Sequence, residues 1–171
     1  MADAEIQKRA RQIRLVIFDV DGVLTDGRLL VHADGSESKA FNVRDGLGIK
    51  RIQRAGIHCA IISGRRSESV VHRALELKIE HVYQGVGDKD RVFAEILSEL
   101  NIDASAVAFV GDDLIDVPVM ERVGLAIAVA DAEPEVAAIA HWRTSRRGGM
   151  GAAREVCELI LAAQNRPDTH C

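Results

Sequence analysis

Several features are scarce in this chain. Its 171 residues include three cysteines, an odd number, and Cys59 lies in an apolar stretch typical of a buried strand, which argues against a disulfide framework. The longest apolar runs, such as LVIF and LAIAVA, are far shorter than the ~20 residues that cross a bilayer. The opening segment MADAEIQKRARQIR lacks the apolar core of a signal peptide. We therefore expect a cytoplasmic protein that does not contact membranes.

An excess of basic charge is missing as well. The chain has 22 Lys and Arg against 26 Asp and Glu, a formal net charge of -4 at pH 7, which argues against a general nucleic-acid-binding protein. No repeat, linker or low-complexity segment interrupts the sequence. A chain of this length buries a sizeable core as one unit. We expect a single domain over residues 1–171, with a flexible tail from about Gln164.

Short apolar runs alternate with amphipathic segments. The runs RLVIFDV, HCAIIS, EHVYQG, AVAFVGD and GLAIAV are typical of buried strands. The segments GLGIKRIQRAG, SESVVHRALELK, DRVFAEILSELN and DVPVMERVG carry apolar residues at helical spacing. This alternation indicates parallel βαβ units. We predict an α/β fold, a doubly wound and mainly parallel Rossmann-like sheet with helices on both faces.

One segment, GRLLVHADGSESKAFNV, departs from the alternation. It has two short β-prone runs, and the pair Asp34 and Gly35 between them is a hairpin signal. We predict a β-hairpin at about residues 28–42, inserted after the first strand. The insertion is too short to form a cap domain over a site.

Acidic and polar residues follow the predicted strands. The first strand ends in Asp19 and Asp21, and an extended chain turns both carboxylates the same way, with Val20 pointing back to the core. Further polar side chains follow the later strands, namely Ser63, Lys89, Asp112, Asp113 and Asp116. The carboxyl ends of parallel strands meet at one edge of the sheet, where ligands bind. Carboxylates, a hydroxyl and a lysine at that edge indicate a Mg²⁺ site with a phosphate cradle.

Taken singly, these features have simpler explanations. Asp112 and Asp113 could cap a helix, Ser63 could be a loop residue and Lys89 a surface charge. The calcium-loop motif does not fit DVDGVLTDG at its fifth and sixth positions. A phosphate-accepting receiver domain would need its aspartate at the end of a middle strand, and HCAIIS lacks one. The joint occurrence of the polar residues, in this order, favours the phosphate site.

The segments DVDGVLTDG, IISGR, GDKD and GDDLIDVPVM resemble, in this order, the four motifs of the haloacid dehalogenase superfamily of phosphatases. The resemblance implies that Asp19 attacks phosphorus and that Asp21 acts as general acid and base. It also implies that Ser63 and Lys89 bind the phosphoryl oxygens. An aspartyl-phosphate would then form and be hydrolysed by water.

The same resemblance implies a Mg²⁺ cofactor. Its ligands would be the Asp19 carboxylate, the Asp21 backbone carbonyl and Asp112. Asp113 and Asp116 would support them. The cation lets an anionic nucleophile approach an anionic phosphate.

The short insertion, FNVRDGLGI and SRRGGMGAAREVCELIL resemble a capless subgroup of the superfamily that acts on phosphorylated acid sugars. This implies 3-deoxy-D-manno-octulosonate 8-phosphate (Kdo 8-phosphate), a lipopolysaccharide precursor, as the substrate. It also implies a homotetramer with active sites at the subunit interfaces. The implied substrate contacts, besides Asp21 and Lys89, are Asn42, Val43, Arg44, Asp45, Gly46, Lys50, Gly64, Arg65 and Arg73.

Two readings of the subgroup stay open beside this one. The substrate could be a related nine-carbon acid-sugar 9-phosphate, but those phosphatases carry TGE where this chain has SGR, so Arg65 favours the eight-carbon sugar. A guanidinium at Arg65 or Arg73 also suits the carboxylate of an acid sugar. The chain could instead be a non-catalytic assembly module of the same fold, although the predicted catalytic residues are all present.

Overall fold

The computed structural model describes residues 2–166, with side chains from residue 4 onward. In chain order its strands are β1 (Leu15–Phe18), β2 (Leu30–Val31), β3 (Glu37–Ser38), β4 (His58–Ser63), β5 (His81–Gln84), β6 (Val107–Gly111), β7 (Leu125–Ala128) and β8 (Trp142–Arg143). Its helices are α1 (Ala2–Arg11), α2 (Val43–Arg54), α3 (Glu68–Leu77), α4 (Lys89–Leu100), α5 (Val117–Met120), α6 (Pro134–Ile139) and α7 (Ala152–Ala163).

Six of these strands form one parallel sheet, in the order β5-β4-β1-β6-β7-β8. The residues of β1, β6 and β7 are all buried, as the continuous apolar runs predict for strands covered on both faces. Strand β1 lies in the middle, with Phe18 opposite Ile61 of β4 and Val110 of β6. The predicted α/β sheet is confirmed.

The strand order places a topological switch point beside β1. The chain moves outward from β1 to β4 and β5, then returns to the other side of β1 with β6. Loops after β1 and β6 therefore diverge and leave a crevice at the carboxyl ends of these two strands, which is where open α/β sheets bind ligands. The predicted acidic residues follow both strands.

Helices cover the sheet in two groups. Helix α2 packs on α3 and α7, and α7 also packs on α1, while α4 packs on α5. Since connections between parallel strands are right-handed, the reversal of strand order puts α2 and α4 on opposite faces. The core between the layers includes Phe18, Phe93 and Phe109, all fully buried.

The predicted hairpin is confirmed in its position. Strands β2 and β3 pair antiparallel, with Leu30 opposite Ser38 and Val31 opposite Glu37. The turn between them includes Gly35 at φ +84°, in the left-handed region that glycine favours. A separate cap domain is absent from residues 2–166, as predicted.

Three elements were not predicted. Helix α1 is largely polar, but Ile6 and Ala10 are buried and lie on one face. Helix α6 and the two-residue strand β8 are too short to give a periodic pattern.

The predicted tail starts at Gln164, whose side-chain amide donates to the carbonyls of Ala10 and Ile13 at 3.2 and 2.8 Å. The rest of that tail, residues 167–171, lies outside the described residues. Across residues 2–166, no helix combines the length and apolar content that crossing a bilayer requires.

Candidate active site

The carboxyl ends of β1 and β6 bring three carboxylates together. Single oxygens of Asp19, Asp112 and Asp116 all lie within 4.8 Å of one another. Lys89, the first residue of α4, reaches into this group, with Nζ at 3.1 Å from Asp19 Oδ1 and 2.7 Å from Asp116 Oδ1. All four residues were predicted, and the structure places them at one point.

The buried carboxylates of Asp19 and Asp116 and the half-buried carboxylate of Asp112 face one ammonium group, so the cluster has an excess of negative charge. Burial, with Asp116 nearby, raises the pKa of Asp19 to about 7 even though Lys89 lowers it. Burial and the neighbouring carboxylates, Asp19 first, raise the pKa of Asp112 to about 8. For Lys89, burial lowers the pKa, but the attraction of Asp19 and Asp116 outweighs it and the net shift is upward. Both carboxyl groups are protonated more readily than usual because they are removed from water and because the single Lys89 ammonium does not offset three carboxylates.

Asp112 shows what would balance that charge. Its Oδ1 is buried and has no hydrogen-bond partner, and a buried unpaired carboxylate oxygen is costly. Asp116, in contrast, has both oxygens occupied: Oδ1 by Lys89 at 2.7 Å and Oδ2 by the Asp112 amide at 3.0 Å. A hard divalent cation beside Asp19 and Asp112 would satisfy the free oxygen and the charge, so the donor set fits Mg²⁺.

The segment after β1 leaves room for the Asp112 carboxylate beside the acidic cluster. The strand ends at Phe18, and the chain makes one irregular helical turn over Val20–Leu24, with the Asp19 carboxylate accepting from the Val20 amide at 2.7 Å. Gly22 has φ +87°, and a Cβ on it would lie 1.9 Å from Asp112 Oδ2. Only glycine permits both the backbone angle and this close approach.

Asp113 and Asp116 stabilise the segment that carries Asp112. The Asp113 carboxylate accepts from the Leu114 amide at 2.7 Å. Asp113 and Asp116 also form a capping box, in which the carboxylate of each accepts from the backbone amide of the other, and the Asp113 amide donates to Asp116 at 3.4 Å. Of Asp112 and Asp113, for which helix capping was the simpler explanation, Asp113 does cap a helical turn. The same bonds fix the direction of Asp112.

The predicted acid and base, Asp21, lies beside this cluster and has a partner that was not predicted. Its Oδ1 forms an ion pair with Nζ of Lys39, which follows the hairpin. The pair is short, and the side chain of Lys39 is only 1% exposed. No chemical pattern in the sequence links the two residues, because the contact joins positions 18 residues apart across an insertion.

The carboxyl end of β4 lies at the same edge of the sheet as the carboxyl ends of β1 and β6. Ser63 is its last residue, is buried, and its carbonyl accepts from the Val86 amide at 3.1 Å. A Cβ on the following Gly64 would lie 3.6 Å from Ile115, so the loops after β4 and β6 approach one another. Arg65 is exposed and forms an ion pair with Glu37 of the hairpin. The predicted Ser63 and Arg65 therefore flank the crevice from the β4 side.

The remaining predicted substrate contacts form a second group on α2 and α3. Val43 is 80% exposed and Arg44 is exposed, whereas Asp45 is buried and its Oδ1 accepts from the Arg154 amide at 2.8 Å. Arg73 lies over Gly46, where a Cβ would approach its Nη2 to 2.3 Å. Lys50 lines a cavity of about 180 Å³ with Val43, Gly46 and Arg73.

One path connects this second group to the loop after β1. The Asn42 carboxamide caps α2 by accepting from the Arg44 amide at 2.8 Å and donates to the Gly149 carbonyl at 3.1 Å. The Gly149 amide in turn donates to the Val23 carbonyl at 2.9 Å. A Cβ on Gly148 would lie 1.7 Å from the Gly22 carbonyl oxygen. Gly148 and Gly149 of GGMGA therefore permit a close backbone contact with the loop after β1.

A larger cavity, of about 690 Å³, lies at the far edge of the sheet. Its walls come from α3, β5 and α4, with Leu75, Tyr83 and Arg91 among its lining residues. The acidic cluster lies at the carboxyl ends of β1 and β6 instead. Size alone therefore does not identify the site; the chemistry of the side chains does.

Comparison with known proteins agrees with this geometry. A family model described as haloacid dehalogenase-like hydrolase matches residues 81–154. The 3-deoxy-D-manno-octulosonate 8-phosphate phosphatase KdsC of Yersinia pestis is 51% identical over 166 residues, which are 97% of this chain and 88% of the relative. The chain belongs to the 3-deoxy-D-manno-octulosonate 8-phosphate phosphatase family. This makes it a phosphomonoesterase of the haloacid dehalogenase type, as the four motifs indicated.

Solved structures of the family share the whole fold. The crystal structure of the Yersinia pestis phosphatase has a TM-score of 0.95 and 49% identity, covering 96% of this chain and 89% of that one. The phosphatase of Moraxella catarrhalis has a TM-score of 0.94 and 43% identity, with 96% and 94% covered, and was solved in complex with a magnesium ion, a phosphate ion and a KDO molecule.

Proposed function

We propose that this phosphatase hydrolyses Kdo 8-phosphate to Kdo and inorganic phosphate with Mg²⁺ as cofactor, in the synthesis of lipopolysaccharide precursors. The observation that carries the proposal is the convergence of Asp19, Asp112 and Asp116 with Lys89 at one edge of the sheet. The magnesium, phosphate and KDO in the Moraxella catarrhalis relative support the cofactor and the substrate class.

The chain's own residues divide the chemistry into two steps. The Asp19 carboxylate attacks phosphorus, and Asp21 donates a proton to the departing sugar oxygen as the P–O bond breaks. Asp21 then takes a proton from water, which attacks the aspartyl-phosphate and releases phosphate. When bound, Mg²⁺ offsets the repulsion between the anionic nucleophile and the anionic phosphate. Asp19, the Asp21 backbone carbonyl and Asp112 would hold it.

Cationic and polar groups around the crevice orient the substrate. Lys89 and Ser63 would hold the phosphoryl oxygens, and the Lys89 ammonium is already fixed by two carboxylates. Arg65, at the open side of the crevice, would bind the sugar carboxylate in place of Glu37. A guanidinium binds a carboxylate through two parallel hydrogen bonds, which favours an acid sugar over a neutral one.

The proposal extends to a cytoplasmic homotetramer in which neighbouring subunits complete the sites. In the single chain, the hairpin exposes 62% of Leu30 and 61% of Val31, an apolar pair suited to burial against another subunit. The exposed Val43 and Arg44 of the second group lie on α2, outside the crevice. Their role as substrate contacts is consistent with an adjoining subunit's site.

Hydrolysis of a panel of sugar phosphates, with and without chelator, tests the substrate and the metal. We expect Kdo 8-phosphate to be turned over with a kcat/KM well above that of nine-carbon acid-sugar 9-phosphates and neutral hexose phosphates, and all turnover to stop with chelator. Equal turnover of the whole panel would refute the assigned substrate.

The nucleophile is tested by Asp19→Asn. The amide cannot form the acyl phosphate, so we expect turnover to fall below detection while the size of the oligomer is unchanged. Appreciable residual activity in a preparation free of wild-type protein would contradict the assignment of Asp19.

A further inference from the structure

We propose that Lys39 is a positioning residue that holds the Asp21 carboxylate in the orientation needed for proton transfer. The inference deepens the proposed function and rests on it, because it takes Asp21 as the acid. Nζ of Lys39 forms a close ion pair with Asp21 Oδ1. The Lys39 side chain is 1% exposed and that of Asp21 is 22% exposed. Lysine is almost never so deeply buried unless it is paired, so the contact is a fixed part of the site.

Asp21 needs such a partner because its backbone does not hold it. The residue has φ −71° and ψ 118°, outside helical values, within the turn Val20–Leu24, and Gly22 follows it at φ +87°. A partly exposed aspartate at such a position has several staggered rotamers. The Lys39 ion pair selects one of them. Since a 1 Å misplacement of a reacting group can cost on the order of 10²-fold in rate, the choice of rotamer matters.

Lys39 is itself held in place by the hairpin. Alternate residues of an extended segment point to the same side, and Glu37 and Lys39 are two apart. Glu37 pairs with Arg65 after β4, and Lys39 pairs with Asp21 after β1. The segment that follows the hairpin turn is thus attached to both sides of the crevice of its own chain.

A purely structural clamp or a phosphate ligand would behave differently from a residue that acts through Asp21. Proton donation matters for a sugar alkoxide, which leaves poorly, and little for 4-nitrophenolate, which leaves without a proton. The ratio kcat/KM reports the steps up to departure of the leaving group. Loss of correct Asp21 orientation should therefore lower kcat/KM for Kdo 8-phosphate far more than for 4-nitrophenyl phosphate. Loss of a phosphate ligand should lower both alike and raise both KM values.

The test uses the full-length enzyme with Mg²⁺ and compares Lys39→Met, Lys39→Arg and the control Lys8→Met, whose lysine is exposed on α1. For Lys39→Met we expect kcat/KM to fall on the order of 10- to 10²-fold with Kdo 8-phosphate and less than about threefold with 4-nitrophenyl phosphate. Lys39→Arg should restore most of the loss, and Lys8→Met should match wild type. If Lys39→Met does not fold, Lys39→Gln takes its place.

A double variant gives a second readout. In an Asp21→Asn background, Lys39→Met should change kcat/KM for Kdo 8-phosphate by less than about twofold, because the residue through which it acts is gone. Full additivity of the two losses of kcat/KM, or an equal loss for Lys39→Met on both substrates, would refute the positioning role of Lys39 and leave the proposed function standing. If the wild type does not hydrolyse Kdo 8-phosphate, the proposed function fails and the role of Lys39 fails with it.

Discussion

The substitution Gly22→Ala tests how the site is shaped around Asp112. A methyl group at this position would lie 1.9 Å from Oδ2 and 2.5 Å from Cγ of Asp112, whereas ordinary contact begins at 3.4 Å. The carboxylate would have to move by about 1.5 Å, the difference between 3.4 and 1.9 Å. Because Oδ1 of Asp112 is buried and unpaired beside the acidic cluster, this shift would displace a proposed metal ligand.

Two costs follow, and they are measured separately. Displacing a ligand by more than 1 Å should lower kcat/KM on the order of 10²-fold and weaken the dependence on Mg²⁺ concentration. The alanine must also adopt φ +87°. That left-handed geometry costs about 1–2 kcal/mol of unfolding free energy, or roughly 2–8 °C in Tm for a chain of this size.

Gly27→Ala is the matched control. Gly27 also has a positive φ, +80°, but a Cβ there would lie 3.6 Å from Gly22 Cα and 3.7 Å from Gly22 N, which are both ordinary contacts. Kinetics with Mg²⁺ titration and thermal denaturation should show similar losses of Tm in both variants, and the loss of kcat/KM in Gly22→Ala alone. Wild-type kinetics in Gly22→Ala would refute the account of Asp112, and equal kinetic losses in both would assign the effect to backbone strain.

Three further predictions concern charge, packing and assembly. Lys89→Met leaves buried carboxylates unpaired and should lower the unfolding free energy by about 3–5 kcal/mol in chelator, and Mg²⁺ should restore part of that loss. Denaturant titration in both buffers checks this, and an equal loss of unfolding free energy in chelator and in Mg²⁺ would contradict it. Asp45→Ala leaves the Arg154 amide unpaired and should lower the unfolding free energy in the same titration by about 1–3 kcal/mol. A change in KM above about threefold with no loss of stability would instead show that Asp45 contacts the substrate directly. Leu30→Glu combined with Val31→Glu should reduce the proposed tetramer to smaller species in light scattering, while an unchanged mass would contradict an interface at the hairpin.

The sheet and the main site residues were predictable because both depend on local pattern. Continuous apolar runs identify strands such as β1 and β6, and the parallel arrangement brings their carboxyl ends to one edge. Asp19 and Asp112 were therefore expected to meet although 93 positions separate them, as 112 minus 19 gives. The acid pairs and the lysine at α4 indicated their own chemistry.

Other parts of the site have no local signal. The ion pair between Lys39 and Asp21 depends on how the hairpin folds back, which the hairpin sequence does not specify. The need for glycine at positions 22 and 148 comes from backbone and side-chain atoms distant in sequence. Asp45 stays a predicted substrate contact, and its burial and its bond to the start of α7 had no signal in NVRDG. Long-range packing decides such roles, and single-sequence patterns do not report it.

The contact between Gly148 and the turn at Gly22 has a consequence for synthesis of the chain on the ribosome. Asp19 emerges first, its partner Asp112 later, and Gly148, which contacts the loop after β1, later still. A nascent chain that ends before residue 148 contains Asp19 but lacks the glycines that contact the loop after it. The packing of the loop after β1 thus depends on residues that are synthesised after every member of the acidic cluster.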